Sequence, residues 1–141
     1  MSETKHGHPL LEKYFDGRTF DDILNLDENS DPKLVQEIIS SFDELMKDYA
    51  SKITYTQLRN ILQLVKKDEY ETSLSSFYMM IPKLAYIEGR PQREKEGKDL
   101  ISFIRTMATA VSGNQYKGFR EAMNTIVAFH KTHDKKQYYN G

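Results

Sequence analysis

A four-turn run of apolar residues at helical spacing restricts the fold of this chain more than any other feature of its sequence. Asp31 and Pro32 supply an N-cap and a proline at the first helical position. After them, apolar side chains recur every three or four positions as far as residue 49, so they line one face of an α-helix. The residues on this face are Leu34, Val35, Ile38, Ile39, Phe42, Leu45, Met46 and Tyr49. The sequence therefore predicts a long amphipathic helix over residues 31–49.

The rest of the chain repeats this pattern in shorter segments. Apolar residues at helical spacing predict further helices within residues 10–15, 19–26, 54–67, 74–88, 98–111 and 115–131. No segment alternates apolar and polar residues as a half-buried strand would. We therefore expect an all-α fold, a compact bundle of about five main helices.

Local signals set some of the helix boundaries. Thr54 and Gln57 fit a capping box, in which the threonine oxygen accepts from an amide three residues on and the glutamine reaches back. Pro82 interrupts the helical pattern after residue 74, which predicts either a kink or a boundary between two helices. Gly89 follows the last apolar residue of that pattern and is expected to act as a C-cap.

The length and composition predict one helical domain over residues 1–141. Its ends, at 1–8 and 133–141, are expected to be flexible. The chain has no cysteine, which excludes a disulfide framework, a thiolate nucleophile and zinc sites built on sulfur. It also lacks an apolar signal core and any run of roughly 18 apolar residues. We therefore expect a cytoplasmic protein with no membrane partner.

The net charge of −1 hides an unequal distribution of charge along the chain. Residues 1–50 contain 12 acids and 5 bases, a balance of −7, whereas residues 51–141 contain 9 acids and 15 bases, a balance of +6. A basic half can attract phosphates, and an acidic half can shield it or dock on a neighbour's basic surface. The two halves could equally neutralise each other within one fold.

Three predicted helices each carry a polar ridge that has bases and amides but no acid. Solvated helices normally mix the two signs, because like charges at this spacing reduce helix stability. The ridges consist of Arg59, Gln63 and Lys66; of Lys83, Tyr86 and Arg90; and of Lys117, Arg120, Asn124 and Lys131. One such ridge is usually a solvated face, but three favour a polyanionic partner, with nucleic acid as the best candidate.

Metal binding and catalysis have weaker support. His130 and His133 could share a metal with Asp134, but the other histidines, His6 and His8, lie at the N-terminal end. No phosphate-binding glycine loop and no converging acid, base and charge stabiliser can be found. We therefore expect no catalytic residues, no metal site and no cofactor. A small ribonuclease based on His130, and a helical module that binds only proteins, stay as alternatives.

Three sequence blocks resemble the small helical subunit of the type III-A CRISPR-Cas interference complex, the Csm complex. They are Thr-x-Thr-Gln-Leu-Arg-Asn at 54–60, Lys-x-Ala-Tyr-x-x-Gly-Arg at 83–90 and Ala-x-x-x-Ile-Val-Ala-Phe-His-Lys at 122–131. They occur in the family's order, and the similar region runs from about Ser51 to the C-terminus, roughly two thirds of the chain. The first 50 residues are less similar.

The resemblance implies a non-catalytic subunit that binds RNA independently of its sequence. In that family several copies stack into a short filament beside the backbone subunits that hold the guide RNA, within a complex that also contains a large polymerase-like subunit. The copies line the path of the target RNA, whose base pairing with the guide supplies specificity. Arg59, Arg90 and Lys131 match polar block positions and are expected to contact phosphates, with Lys66, Lys83 and Arg120 in support. Leu58 and Phe129 match apolar positions and should be core. The acidic first third would serve packing between copies.

Overall fold

The described part of the protein is mainly helical and contains no β-strand. A computed structural model of the chain describes residues 7–65 and 73–134. The helices are α1 (Pro9–Tyr14), α2 (Phe20–Leu24), α3 (Pro32–Tyr49), α4 (Tyr55–Val65), α5 (Leu74–Met79), α6 (Ile81–Gly89), α7 (Gly97–Ala110) and α8 (Tyr116–His133), with a short 3₁₀ turn (Ala50–Lys52) after α3. The all-α prediction is confirmed, and its five main helices correspond to α3, α4, α6, α7 and α8.

The two longest helices, α3 and α8, pack against each other, and α8 also contacts α2 and α4. An aromatic cluster joins α3, α7 and the segment that follows α1. The ring centroid of Phe15, just after α1, lies 4.9 Å from that of Phe42 in α3 and 5.8 Å from that of Phe103 in α7. All three side chains are almost fully buried, so the first half of the chain shares a core with the second.

Helices α4 and α8 run antiparallel, fastened to each other near both ends. At one end the Tyr116 hydroxyl donates to the Val65 carbonyl oxygen at 2.8 Å. At the other end the His130 Nε2 atom lies 2.8 Å from the Ile53 carbonyl oxygen, just before α4. Because the start of α8 meets the end of α4, their exposed residues form two neighbouring rows.

A glycine allows the close approach between α2 and α8. A Cβ atom added at Gly118 would lie 1.9 Å from the Leu24 carbonyl oxygen, far inside van der Waals contact. Position 118 therefore requires glycine for space, because any side chain would push the end of α2 away from α8.

The predicted helix boundaries are partly confirmed. Thr54 Oγ1 accepts from the Gln57 amide at 3.1 Å, and the Gln57 side chain lies 3.5 Å from the Thr54 amide, as the capping box requires. Pro82 lies at the start of α6 and separates it from α5. The C-cap prediction was wrong by one residue, because Gly89 is the last helical residue and Arg90 is the cap. The Asp31 side chain makes no capping hydrogen bond, although its carbonyl oxygen accepts from Val35 at 3.1 Å.

Of the eight residues on the predicted apolar face of α3, four are buried, three are partly buried and one is exposed. Ile38, Phe42, Leu45 and Met46 are buried, whereas Ile39 is 43% exposed because the spacing turns it toward the side of the helix. Each long helix keeps a polar face, and none of the described helices is long and apolar enough to cross a membrane.

At the inner edges of the two segments expected to be flexible, individual residues make specific contacts. His8 accepts from the Leu10 amide at 3.1 Å and bonds Ser102 at 3.1 Å, so it caps α1 and ties it to α7. His133 lies 2.6 Å from the Asp43 carboxylate, and Asp134 is buried. Residues 1–6 and 135–141 lie outside the described part of the chain.

Candidate nucleic-acid interface

Two basic side chains from different helices meet over one tyrosine. Tyr55 is the first residue of α4, and the Arg59 guanidinium carbon lies 5.7 Å from the centroid of its ring. The Lys131 ammonium, near the end of α8, lies 5.5 Å from the same centroid. Arg59 Nη1 also donates to the Tyr55 hydroxyl oxygen at 3.0 Å. The sequence separates these two cations by 72 positions, and the antiparallel packing of α4 and α8 brings them together.

The same tyrosine–arginine pairing recurs at two further places. Arg90 lies 5.9 Å from the ring centroid of Tyr86, and Arg120 lies 5.4 Å from that of Tyr116. In each pair the arginine follows the tyrosine by four residues. A cation over an aromatic face is attracted by the ring's quadrupole, and one helical turn brings positions i and i+4 together. Each tyrosine therefore holds an arginine at the protein surface.

The basic residues of α8 lie along its exposed side, next to α4. Lys117 and Lys131 are exposed, and Arg120 and Asn124 are partly exposed between them. Fourteen residues separate the two lysines, which corresponds to about 21 Å along a helix. Lys131 lies beside the start of α4, and the Arg120 end lies beside Val65 through Tyr116. A row of cations thus follows the length of α4.

Arg90 lies on the other flank of α4, where it lines a groove between α4 and the end of α6. Gln57, Asn60, Ile87, Arg90 and Pro91 line this groove, which has a volume of about 330 Å³. Gln57 donates to the Pro91 carbonyl oxygen at 3.3 Å and holds the loop after α6 against α4. The first half of α4 therefore has Lys131 on one side and Arg90 on the other.

Ion pairs hold four of the arginine and lysine side chains in the described chain. Arg18, Arg93 and Arg105 pair with Glu37, Asp134 and Glu88, and Lys52 pairs with Glu94. By contrast, no carboxylate among residues 7–65 and 73–134 pairs with Arg59, Lys83, Arg90 or Lys131. Other exposed lysines, among them Lys33, Lys47 and Lys98, also pair with no carboxylate of the described residues. Arg59, Arg90 and Lys131 differ from these lysines because each lies beside a tyrosine ring near α4.

The electrostatic effect is visible at Tyr55. The hydrogen bond from Arg59 is the largest cause that lowers the pKa of the Tyr55 hydroxyl. Burial acts in the opposite direction, and the positive charges of Arg59 and Lys131 lower the pKa further. The surroundings of this hydroxyl therefore favour negative charge.

The histidines considered for metal binding or catalysis are engaged with other groups of the protein. His130 is completely buried, and Asp134, also buried, is 3.2 Å from Arg93 Nη1 through both carboxylate oxygens. Burial lowers the pKa of His130, although its hydrogen bond to Ile53 and the charge of Asp134 act in the opposite direction. His133 points to Asp43. Within the described residues no group of three His, Asp or Glu side chains could hold a metal ion.

Comparison with protein families adds a finding that the geometry alone cannot provide. The family model described as Csm2 Type III-A matches residues 30–136 of the 141. The chain belongs to the Csm2 family. It is therefore a small subunit of the type III-A CRISPR-Cas complex, the Csm complex, as the resemblance implied. The match also covers α3, where the sequence blocks were less distinct. Comparisons with curated proteins and with solved structures found no match.

In this Csm2-family chain the predicted site residues fall into distinct positions. Arg59 and Lys131 are brought together, and Arg90 lies across α4 from Lys131. Arg120 lies near the opposite end of α4, and Lys83 is exposed on α6, seven residues before Arg90. Lys66 lies outside the described residues. Leu58 is fully buried, and Phe129 is partly buried against the core.

Sequence reasoning missed two tyrosines that support the basic side chains of this Csm2-family chain, the partly exposed Tyr55 and the buried Tyr116. Both are apolar enough to be counted as core positions when read by helical spacing alone. The signal that could have found them is the repeated Tyr-x-x-x-Arg, which occurs at 55–59, 86–90 and 116–120. Tyr14 and Arg18 share the spacing, but Arg18 lies beyond the end of α1 and pairs with Glu37.

Proposed function

We propose that this Csm2-family subunit is a cytoplasmic, non-catalytic RNA-binding component of the Csm complex. In this proposal several copies form a short filament beside the subunits that carry the guide RNA and beside the large polymerase-like subunit. The filament lines the path of the target RNA and contacts its backbone without reading sequence. The observation that carries the proposal is that Arg59, Arg90 and Lys131, all exposed near α4, lie beside tyrosine rings and pair with no carboxylate among the described residues.

Phosphate is the ligand that best fits these cations. Arginine offers several donors in a fixed plane and lysine offers a mobile ammonium, and both are the usual contacts to nucleic-acid phosphates. Arg59, Arg90 and Lys131 are the proposed primary contacts, with Lys83 and Arg120 in support. Lys66 stays in the proposal from its place on the sequence ridge. Because phosphates are identical along a strand, such contacts give binding that does not depend on sequence.

The absence of catalysis in this proposal has two supports. His130, the best candidate for a general base, is completely buried against Ile53, so an RNA phosphate cannot reach its ring without local unfolding. Arg59, Arg90 and Lys131 stand beside tyrosines, and none of the three pairs with an acid among the described residues. Such a surface can bind a phosphodiester but lacks a base to activate a nucleophile.

Contact between copies is the second part of the proposal. Residues 1–50 carry a balance of −7, and one exposed face of α3 includes Glu37, Glu44 and Asp48. An acidic surface of this kind suits a basic surface on a neighbouring copy, and the opposed charges would fix the register between them.

The decisive experiment compares two triple variants in the assembled Csm complex. Arg59, Arg90 and Lys131 are changed to alanine in one, and the exposed Lys33, Lys47 and Lys98 in the other, so both lose three positive charges. We expect only the first to weaken target RNA binding and to reduce the slope of log affinity against log salt, by about 2. Equal effects of both would mean that net charge alone matters. Normal assembly with unchanged RNA binding in the first would favour a module that binds only proteins.

A further inference from the structure

Arg59 and Lys131 place two positive charges close to the ring of Tyr55. Both cations lie within 6 Å of the Tyr55 centroid, and like charges repel unless something compensates them. No carboxylate of the described residues pairs with either one. The face of the Tyr55 ring offsets part of this repulsion. A bound anion would offset the rest.

We propose that Tyr55, Arg59 and Lys131 form one binding site for a single phosphate group, to which Tyr55 contributes its hydroxyl. The Tyr55 oxygen already accepts from Arg59 Nη1 at 3.0 Å, so its own proton is left to donate to a phosphate oxygen. The remaining guanidinium donors and the Lys131 ammonium supply further charge-assisted hydrogen bonds. This inference rests on the proposed function, and it adds Tyr55 to the residues that touch RNA.

The rest of the molecule contains a natural comparison for this site. Lys13 lies 5.3 Å from the ring centroid of Tyr14, much as Lys131 does over Tyr55. However, the Tyr14 hydroxyl donates to the Asp48 carboxylate, so its proton is already used and the local charge is negative. Burial and this acidic partner raise the pKa of Tyr14, whereas the pKa of Tyr55 is lowered. A tyrosine beside a cation is therefore not sufficient for the proposed site.

The support behind Tyr55 is rigid. The Tyr55 ring lies 6.1 Å from the ring of His130, centroid to centroid, and His130 is fastened to Ile53. Tyr55 follows the capping residue Thr54, whose hydroxyl accepts from the Gln57 amide. The two helices that carry the cations are thus fixed to each other within one turn of the site, so little conformational freedom is lost when an anion binds.

The first test uses inorganic phosphate and the isolated full chain. Tyrosine rings are labelled with ¹³C, and phosphate replaces chloride at constant ionic strength. We expect a saturable shift of the Tyr55 signal, which is assigned by its loss in Tyr55→Phe, and no such shift for Tyr14. In Arg59→Ala and in Lys131→Ala the apparent affinity should fall about threefold or more. A Tyr55 signal that does not move, or a response that stays intact in either variant, overturns the single site.

The second test separates this inference from the proposed function. Target RNA binding by the assembled complex is measured with Tyr55→Phe and, as the matched control, Tyr14→Phe. Loss of one hydrogen bond to phosphate should lower affinity about threefold to tenfold in the first and leave the second unchanged. If Arg59→Ala and Lys131→Ala weaken binding but Tyr55→Phe does not, the role of Tyr55 is wrong and the proposed function stands. If none of the three weakens binding, the proposed function fails as well.

Discussion

The Nε2 atom of His130 lies 2.8 Å from the backbone carbonyl oxygen of Ile53, and this contact sets the geometry of the basic surface. His130 directly precedes Lys131, and Ile53 stands two residues before Tyr55. One buried hydrogen bond therefore fixes how closely the Lys131 side chain approaches the Tyr55 ring. A buried core residue thus determines the spacing of the residues proposed to bind RNA.

We predict that His130→Ala destabilises the fold by about 2–4 kcal/mol, because it leaves a cavity and a buried carbonyl oxygen without its donor. His133→Ala is the matched control, three residues further along the same helix. Its bond to Asp43 is partly exposed, so its loss should cost less than ~1 kcal/mol. Urea unfolding of both variants measures the difference. Equal losses of unfolding free energy would mean that the buried bond between His130 and Ile53 contributes no more to stability than the bond between His133 and Asp43.

The stability of the protein should fall as the pH drops below about 6.5. Burial lowers the pKa of His130 and of His8 below the ordinary value of 6.5, so the unfolded chain takes up protons before the folded chain does. Stability is therefore full above pH 6.5 and declines toward the folded pKa values, by no more than ~1.4 kcal/mol per pH unit for each group.

Thermal melting between pH 7.5 and 5 measures this effect in the wild type and in His130→Gln, which keeps a side-chain donor but does not titrate. The variant should lose less stability on acidification than the wild type does. An identical pH dependence would show that His130 is not one of the groups responsible.

Gly118→Ala should disrupt the packing of α2 on α8. The new Cβ atom would lie 1.9 Å from the backbone oxygen of Leu24, and backbone cannot rotate away as a side chain can, so we expect a loss of about 2 kcal/mol or more. Gly89→Ala is the control, because nothing lies within 4 Å of its added Cβ, so its free energy of unfolding should change by less than ~0.5 kcal/mol. Denaturant unfolding should therefore show a loss of stability for Gly118→Ala alone.

Features that depend on neighbours along the chain could be predicted from the sequence. The capping box of Thr54 involves only Gln57, and Pro82 affects only its own helical segment. The structure confirms the capping box and the helix boundary at Pro82. At Asp31 the sequence offers an N-cap residue, but its side chain makes no capping hydrogen bond. The helical faces were also predictable, since they follow from periodicity, although residues at the edge of a face, such as Ile39, were not.

Features that depend on how helices pack could not be predicted in the same way. Tyr55 and Lys131 are 76 positions apart, and no rule of spacing says which residue of α8 lies over the start of α4. The buried role of His130 has the same origin, because its partner is a carbonyl oxygen on another element. The sequence identified Arg59 and Lys131 as separate basic residues, and only the packing of α4 on α8 made them neighbours.

Purified protein should leave RNA intact over hours. Among the described residues no acid pairs with Arg59, Arg90 or Lys131, and His130 is buried, so we expect no side chain there to activate a nucleophile. Incubation of the chain with labelled single-stranded RNA, with and without divalent metal, tests this. Cleavage that copurifies with the protein and disappears in His130→Ala would contradict the non-catalytic proposal.

Single substitutions should resolve the individual phosphate contacts. Replacing Arg59, Arg90 or Lys131 with alanine should weaken binding of single-stranded RNA about equally for unrelated sequences, because phosphate contacts carry no base information. Each change should also reduce the slope of log affinity against log salt by about 0.7, the share of one contact. The three side chains are exposed, so the free energy of unfolding should change by less than ~0.5 kcal/mol.

The measurement belongs in the isolated chain and in the assembled complex, with Lys98→Ala as the control. Lys98 is exposed at the start of α7, where the model of RNA along α4 predicts no contact, so its replacement should leave the slope unchanged. If all three variants keep the parent's affinity and slope in both settings while melting normally, the cations around α4 do not contact phosphate. The repeated tyrosine–arginine pairs would then serve only the stability of each helix, since a stacked cation stabilises its own turn whether or not RNA is present.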